Sequence, residues 1–284
     1  CCLPTISLST KSLKVIRDWT KKLAISLNVK GLINLQFAVQ NDLDGEEKVF
    51  IIEANPRASR TVPFVSKATG IPLAAIATKL MADETLISLG YTEEPVPPLQ
   101  TIKEAVLPFK RFPGADSLLG PEMRSTGEVM GSAENFGMAY AKAEIAAGEA
   151  LPTSGLVFIS INDRDKTQVI NIARQLINLG FELIATSGTS KVIRESGLKV
   201  QTILKVHEGR PNIEDLIRSG KIQLIINTPI GRQAKHDDKY IRRAALDYSL
   251  PILTTIAGAK AALEAIASLQ NHELTLTSLQ DIHS

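Results

Sequence analysis

The chain has 284 residues, 44% of them hydrophobic and 22% charged, with a formal net charge of +2; it has room for one or two ordinary globular domains and gives no reason to expect a nucleic acid partner. The longest apolar runs fall far short of a membrane span, and the first residues lack the basic-then-apolar pattern of a signal peptide. The only cysteines, Cys1 and Cys2, are adjacent and poorly placed for a disulfide; the cytoplasm is the expected compartment, with a plastid as the alternative.

Residues 10–27 read as a helix, because Leu13, Ile16, Trp19, Leu23 and Leu27 recur near helical spacing with Lys14, Arg17, Lys21 and Lys22 between them. Trp19 is expected in a core. Residues 31–39 largely alternate, as a strand should, and Val49, Phe50, Ile51 and Ile52 read as a buried strand. Asp44-Gly45 between them is a hairpin signal, and with that pair at the tip Gln36 falls directly opposite Glu53. Glu53, Asn55 and Arg57 recur at spacing two, so an extended chain points all three side chains one way.

The oxygens of Gln36, Glu53 and Asn55 suit a divalent cation such as Mg²⁺ or Mn²⁺, and the planar fork of Arg57 suits a phosphate. Glu53 on its own is better explained as a polar residue ending a half-buried strand. Arg60 and Lys67 read equally as phosphate-facing groups or as solvated surface charge. Residues 71–82 are apolar and Ala-rich, with Pro72 suited to a first helical turn. Pro95, Pro97 and Pro98 mark a linker or an extended crossing. Residues 102–109 read as a strand containing Glu104, by itself a surface residue. Residues 112–131 are rich in turn formers, and Arg124 and Glu128 within them suit a structural ion pair. Residues 136–148 form an Ala-rich helix, and residues 150–155 then break the pattern.

The runs Gly31-Leu-Ile-Asn-Leu-Gln-Phe-Ala-Val39 and Ile52-Glu-Ala-Asn-Pro-Arg-Ala-Ser-Arg-Thr-Val-Pro-Phe-Val-Ser-Lys67 resemble the end of an ATP-grasp domain. More specifically, they resemble the second, carbamate-phosphorylating half of the carbamoyl-phosphate synthase large chain. The resemblance implies metal ligands at Gln36, Glu53 and Asn55, a phosphate-facing arginine at Arg57, and ATP with Mg²⁺ as cofactors. It also implies a role for Glu104 in binding ornithine, an activator. The upstream strands, phosphate loop and lysine of an intact ATP-grasp domain have no counterpart here, so a C-terminal fragment of a longer chain is expected.

Beyond residue 155 the pattern alternates. Strands are expected at 156–161, 181–185, 200–204, 222–226 and 252–254, and helices at 166–179, 190–196, 213–219, 240–248 and 257–269. That predicts a five-stranded parallel sheet with helices on both faces. Ligands of such sheets bind beyond the carboxyl ends of the strands. Asp163 and Lys166, then Thr186-Ser-Gly-Thr189, then Lys205 and His207-Glu-Gly-Arg210, then Asn227 and Thr228, and finally Thr254, fall there. Two lysines, several hydroxyls and a glycine at a helix N-terminus suit a phosphate. Thr186 and Thr189, taken singly, are equally well read as helix caps.

This half is similar to the methylglyoxal-synthase-like domain that ends the same large chain, most specifically in Lys205-Val-His-Glu-Gly-Arg-Pro211. There the domain is allosteric and binds UMP or IMP. The resemblance implies nucleotide contacts at Lys166, Thr186, Thr189, Lys205, Asn227 and Thr228. Pro229 stands where well-known bacterial members have threonine. Ile252-Leu253-Thr254 replaces an ornithine-binding Tyr-Asp-Thr run, leaving Thr254 in common.

The expected organisation is α/β: residues 1–82 a partial ATP-grasp segment, 83–149 a connection completing the carbamoyl-phosphate half, and 150–284 the methylglyoxal-synthase-like allosteric domain. The resemblance implies the C-terminal portion of a glutamine-hydrolysing ligase, making carbamoyl phosphate for pyrimidine and arginine biosynthesis. The implied partners are a small glutamine-amidotransferase subunit, the rest of the large chain, and UMP or IMP as effector. A stand-alone regulatory nucleotide-binding module is one alternative. A methylglyoxal-synthase-type lyase is the other: His236-Asp237 resembles part of that enzyme's motif, but Glu208-Gly-Arg-Pro211 stands where its catalytic aspartate belongs.

Overall fold

The computed structural model describes residues 1–41, 45–107, 127–228 and 239–284. Asp44, Arg124, Pro229, His236, Asp237 and most of the turn-rich stretch 112–131 lie outside them. The chain divides into two compact units, Cys1–Thr101 with Leu276–Ser284, and Ile102–Thr275. Among the described residues no helix is long and apolar enough to cross a membrane.

In the first unit, a two-residue strand β1 (Cys2–Leu3) precedes helix α1 (Thr10–Ser26). Ser9 caps α1 by accepting from the Ser12 amide. The Ser9 hydroxyl donates in turn to the Glu47 carboxylate at 2.6 Å. Glu47 opens β3 (Glu47–Asn55), so the cap also fixes α1 to the hairpin formed by β3 and β2 (Asn34–Asn41). The apolar stripe of α1 is only half-buried, Trp19 included.

The hairpin departs from expectation in two ways. Phe50, Ile51 and Ile52 are 48%, 40% and 63% exposed, so the apolar run of β3 is a strand but not a buried one. The reason is architectural: the ribbon has two strands and packs on α1, which leaves a broad apolar surface uncovered within this unit. The register also differs near the turn. Asn41 pairs with Glu47 and Phe37 with Ile51, one residue off the pairing a tip at Asp44-Gly45 requires. A bulge between Gln36 and Phe37, which leaves Ile52 without a Cα partner, then restores Gln36 opposite Glu53 and sets Asn34 opposite Asn55.

Helices α2 (Thr61–Thr69) and α3 (Leu73–Met81) follow, with Pro72 at the N-cap of α3. Gly70 ends α2 at φ 75°, in the left-handed region that glycine reaches without strain. The final residues return to this unit: a short helix at Leu279–Ile282 brings the His283 ring against Gly70, and its Nε2 lies 2.7 Å from the Lys67 carbonyl oxygen.

Strand β4 (Gln100–Val106) runs from the last two residues of the 1–101 segment into the second unit, where its neighbour β5 (Gly127–Ala133) and helix α4 (Phe136–Ala147) follow. Then come β6 (Leu156–Ile161), α5 (Lys166–Asn178), β7 (Glu182–Thr186), α6 (Ser187–Glu195), β8 (Gln201–Ile203) and α7 (Ile213–Arg218). The last elements are β9 (Leu224–Thr228), α8 (Lys239–Asp247), β10 (Ile252–Leu253) and α9 (Ile256–Asn271). Five strands form one parallel sheet in the order β10-β9-β6-β7-β8.

Both sheet faces are covered, as parallel pairing requires. Val157, Ile159, Leu183 and Leu224 pack with α5 and α9 on one face, while Phe158, Ile184, Ile203 and Ile225 pack with α7 and α8 on the other. Helix α6 starts three residues earlier than expected, directly from β7, and this draws Gly188 and Thr189 into its first turn. Where α4 crosses α9, a side chain on Gly137 would collide with the Glu264 carbonyl and the Ser268 hydroxyl, so only glycine permits that approach.

An acidic group is buried on α4. The Glu144 carboxyl, 8% exposed, is pushed up to about 7 by burial and by the charges of Glu104 and Glu149, against a hydrogen bond with Tyr140. A raised acid binds protons in the folded state that the unfolded chain releases. Its contribution is therefore fully present below the ordinary pKa of 4.5 and is lost as pH rises towards about 7. Stability should fall across that window by up to roughly 3 kcal/mol, and Glu144→Gln should flatten the fall. Urea unfolding at pH 4.5, 5.5, 6.5 and 7.5 checks this; parallel curves for the two proteins would contradict it.

Candidate functional site

A cavity of about 420 Å³ opens at the carboxyl ends of β6, β7 and β8. Its floor is the strand-to-helix turn of Thr186, Ser187, Gly188 and Thr189. Because α6 begins there, the first amides of a nine-residue helix have no partners within it and present donors and a partial positive charge. Lys166, the first residue of α5, reaches over this turn: a Cβ built on Gly188 would lie 3.4 Å from Lys166 Nζ. Lys205 supplies a second ammonium from the end of β8.

The carboxylates around the cavity have different partners. Glu208 accepts from the Lys205 backbone amide at 2.7 Å, closing a short 3₁₀ turn at Val206–Glu208. Asp165 accepts from Asn162 Nδ2 at 2.6 Å. Asp163 pairs with the Lys166 ammonium, Oδ1 to Nζ 2.5 Å. Its carboxyl is held below the usual range, first by that hydrogen bond and charge and more weakly by Lys205.

Of the residues expected to hold a nucleotide, Lys166, Thr186, Thr189 and Lys205 line this cavity. Asn227 and Thr228 do not. The Thr186 side chain makes no cap bond to α6. It lies 3.4 Å from the Thr189 hydroxyl, which in turn accepts from the Ile161 amide at 3.2 Å. Asn227 is fully buried at the end of β9, and neither its amide nitrogen nor its amide oxygen has a hydrogen-bond partner among the described residues.

The residue that sequence reasoning missed is Asn162. Its Oδ1 accepts from the amides of Arg164 and Asp165, and its Nδ2 donates to Thr228 Oγ1 at 2.9 Å and to the Thr228 carbonyl at 3.0 Å. One side chain thus joins the ends of β6 and β9 and shapes the turn that carries Asp163 and Lys166. The available signal was an Asn directly after a strand, followed by Asp-Arg-Asp, the composition of an Asx cap.

In the first unit, cross-strand pairing puts Gln36 and Glu53 on the same face of the ribbon, both exposed. Asn55 Nδ2 donates to Glu53 Oε1 at 2.9 Å, which leaves the Asn55 amide oxygen available. Arg57 is exposed and its Nη1 donates to the Ala58 carbonyl at 3.2 Å. Arg60 and Lys67 are exposed at either end of α2. One carboxylate and two amide oxygens is a donor set that Mg²⁺ accepts when phosphate and water complete its shell.

Glu104, on β4, belongs to the acidic group with Tyr140, Glu144 and Glu149, and burial pushes its carboxyl up. Thr254 is an exposed residue just past β10. Glu128 pairs with Lys103 at 3.3 Å.

The role of Asn162 can be tested directly. Asn162→Ala should cost about 1–2 kcal/mol, the usual worth of a helix-capping side chain. Asn162→Asp keeps the acceptor but loses the donors to Thr228, and should fall between wild type and alanine in denaturant unfolding.

Comparison with known proteins agrees with this architecture. The carbamoyl-phosphate synthase L chain, ATP binding domain, family matches residues 2–89, and the MGS-like domain family matches residues 168–254. A carbamoyl phosphate synthase large chain from Synechocystis sp. is 58% identical over 282 residues, which is 99% of this chain and 26% of that protein. The carbamoyl phosphate synthase arginine-specific large chain, chloroplastic, of Oryza sativa subsp. japonica is 53% identical over 99% of this chain and 24% of its own length. The chain thus spans about a quarter of these relatives. A large chain from Methanosarcina barkeri is 48% identical over all 284 residues, and the match covers 70% of that protein. A solved methylglyoxal synthase from Elizabethkingia anophelis NUHP1 is 20% identical with a TM-score of 0.34, covering 40% of this chain and 79% of that one, too distant to add to the family match. With two family models in the expected order and relatives matched from end to end of the chain, the protein belongs to the carbamoyl phosphate synthase large chain family.

Proposed function

We propose that the chain supplies the metal-and-phosphate end of a carbamate-phosphorylating site, together with the nucleotide-responsive module that controls it. The observation that carries the first part is Gln36 directly across the ribbon from Glu53, with Asn55 hydrogen-bonded to the same carboxylate. Mg²⁺ held by Gln36, Glu53 and Asn55 would neutralise charge on the ATP phosphates during transfer. Arg57 would leave its weak contact to the Ala58 carbonyl and take a phosphate oxygen through its fork. A carbamate oxygen then attacks the γ-phosphorus, ADP leaves, and carbamoyl phosphate forms; no side chain need act as nucleophile. The product would serve pyrimidine and arginine biosynthesis, with ammonia supplied by a small glutamine-amidotransferase subunit.

The second part rests on the cavity in unit two. Two ammonium groups and the start of α6 suit the phosphate of a nucleoside monophosphate such as UMP or IMP. A reading as a regulatory module alone rests on the same cavity. The lyase reading gains nothing from Glu208, whose carboxylate is bonded to the Lys205 amide.

Two measurements test these parts separately. Paramagnetic relaxation titration of Mn²⁺–ATP should show binding at least tenfold weaker in Glu53→Gln than in wild type; equal affinities would remove the metal assignment. Calorimetric titration with UMP and IMP should show heat for wild type and at least a tenfold loss in Lys205→Ala. Equal heats for the two proteins would remove the pocket assignment.

A further inference from the structure

The Asp163–Lys166 ion pair lies inside the cavity proposed to bind a phosphate, and it involves one of the two cations that a phosphate would use. Asp163 Oδ1 is 2.5 Å from Lys166 Nζ, and the same ammonium sits over Gly188 in the first turn of α6. A carboxylate thus takes up the charge that an incoming anion would seek.

The charged groups facing this pair are not equivalent. Lys205 approaches from the end of β8 and carries the second positive charge. Glu208 is bonded to the Lys205 amide, and Asp165 to Asn162. Arg164 lines the same cavity from the turn before α5. Asp163 differs from the other two carboxylates: its side chain is 90% exposed, and the bond to Lys166 holds it in place. Nothing in the packing prevents it from swinging into solvent. Such a pair is individually weak, whereas a phosphate dianion offers three strong acceptor oxygens to the same ammonium and to the α6 amides.

We propose that Asp163 is an affinity-setting residue: its carboxylate competes with the ligand phosphate for Lys166, and binding requires Asp163 to turn away. The inference rests on the reading of the cavity as a phosphate site. Its consequence is that the native cavity binds its effector less tightly than its lysines allow, which places half-occupancy at a higher effector concentration. Asp163 also marks occupancy, because its carboxylate stands in one place when paired with Lys166 and in another when the phosphate displaces it.

The test is a double-mutant cycle read by ³¹P NMR titration with inorganic phosphate and with UMP, a method that reaches weak affinities. Asp163→Asn should bind both probes about three- to tenfold more tightly than wild type. Lys166→Met should bind more weakly, and adding Asp163→Asn to it should change affinity by less than about twofold. A purely structural role for Asp163 predicts weaker binding in Asp163→Asn, and that result, or no change, overturns the inference while leaving the phosphate site in place. Equal tightening with and without Lys166 also overturns it, since the carboxylate would then act through its general field. Absence of binding by all four proteins overturns the phosphate reading and the inference together.

Discussion

A parallel sheet has nowhere to expose an apolar face, and the second unit obeys that constraint closely. Adjacent residues of β6, Phe158 and Ile159, are both fully buried, one against each helical layer. Polar chemistry is thereby confined to the strand ends. At the carboxyl end the chain must leave the sheet, reverse and begin a helix, so free amides, caps and short turns collect there. The cavity, Asn162, Lys166 and the start of α6 all follow from the sheet being covered on both sides.

Much of this was legible because the helices of the second unit are amphipathic and its strands short, apolar and bounded by glycine or polar residues. Alternation of strand and helix implies parallel pairing, whereas the order β10-β9-β6-β7-β8, with β6 at the centre, comes from the structure. The ring of Lys166, Thr186, Thr189 and Lys205 was readable from its position after each strand. Asn162 was not, since its importance lies in bonds to Thr228, far away in sequence. Asn227 and Thr228 were expected beside the ligand, whereas here Thr228 serves Asn162 and Asn227 is enclosed at the end of β9. Distance along the chain says which strand end a residue occupies, not which of its neighbours it bonds to.

The hairpin shows a different limit. Four consecutive apolar residues in β3 read as burial, yet burial requires a layer on each face, and among the described residues the ribbon packs chiefly on α1. Hydrophobicity records what a surface prefers to touch; the partner is a property of the assembly. The register teaches the complementary lesson. A one-residue offset at the turn would have parted Gln36 from Glu53, and the bulge at Ile52 cancels it. The pairing inferred from a simple tip is thus reached by two compensating irregularities.

The last nine residues belong to the first unit although the whole second unit precedes them in the sequence. During synthesis residues 1–101 therefore emerge before the second unit but lack one of their own pieces until residues 276–284 have been made. The ring of His283, lodged against Gly70 at the end of α2, arrives only then. Completion of the first unit waits on translation of residues 276–284, so ribosome pausing within the second unit would prolong the interval in which the first is unfinished.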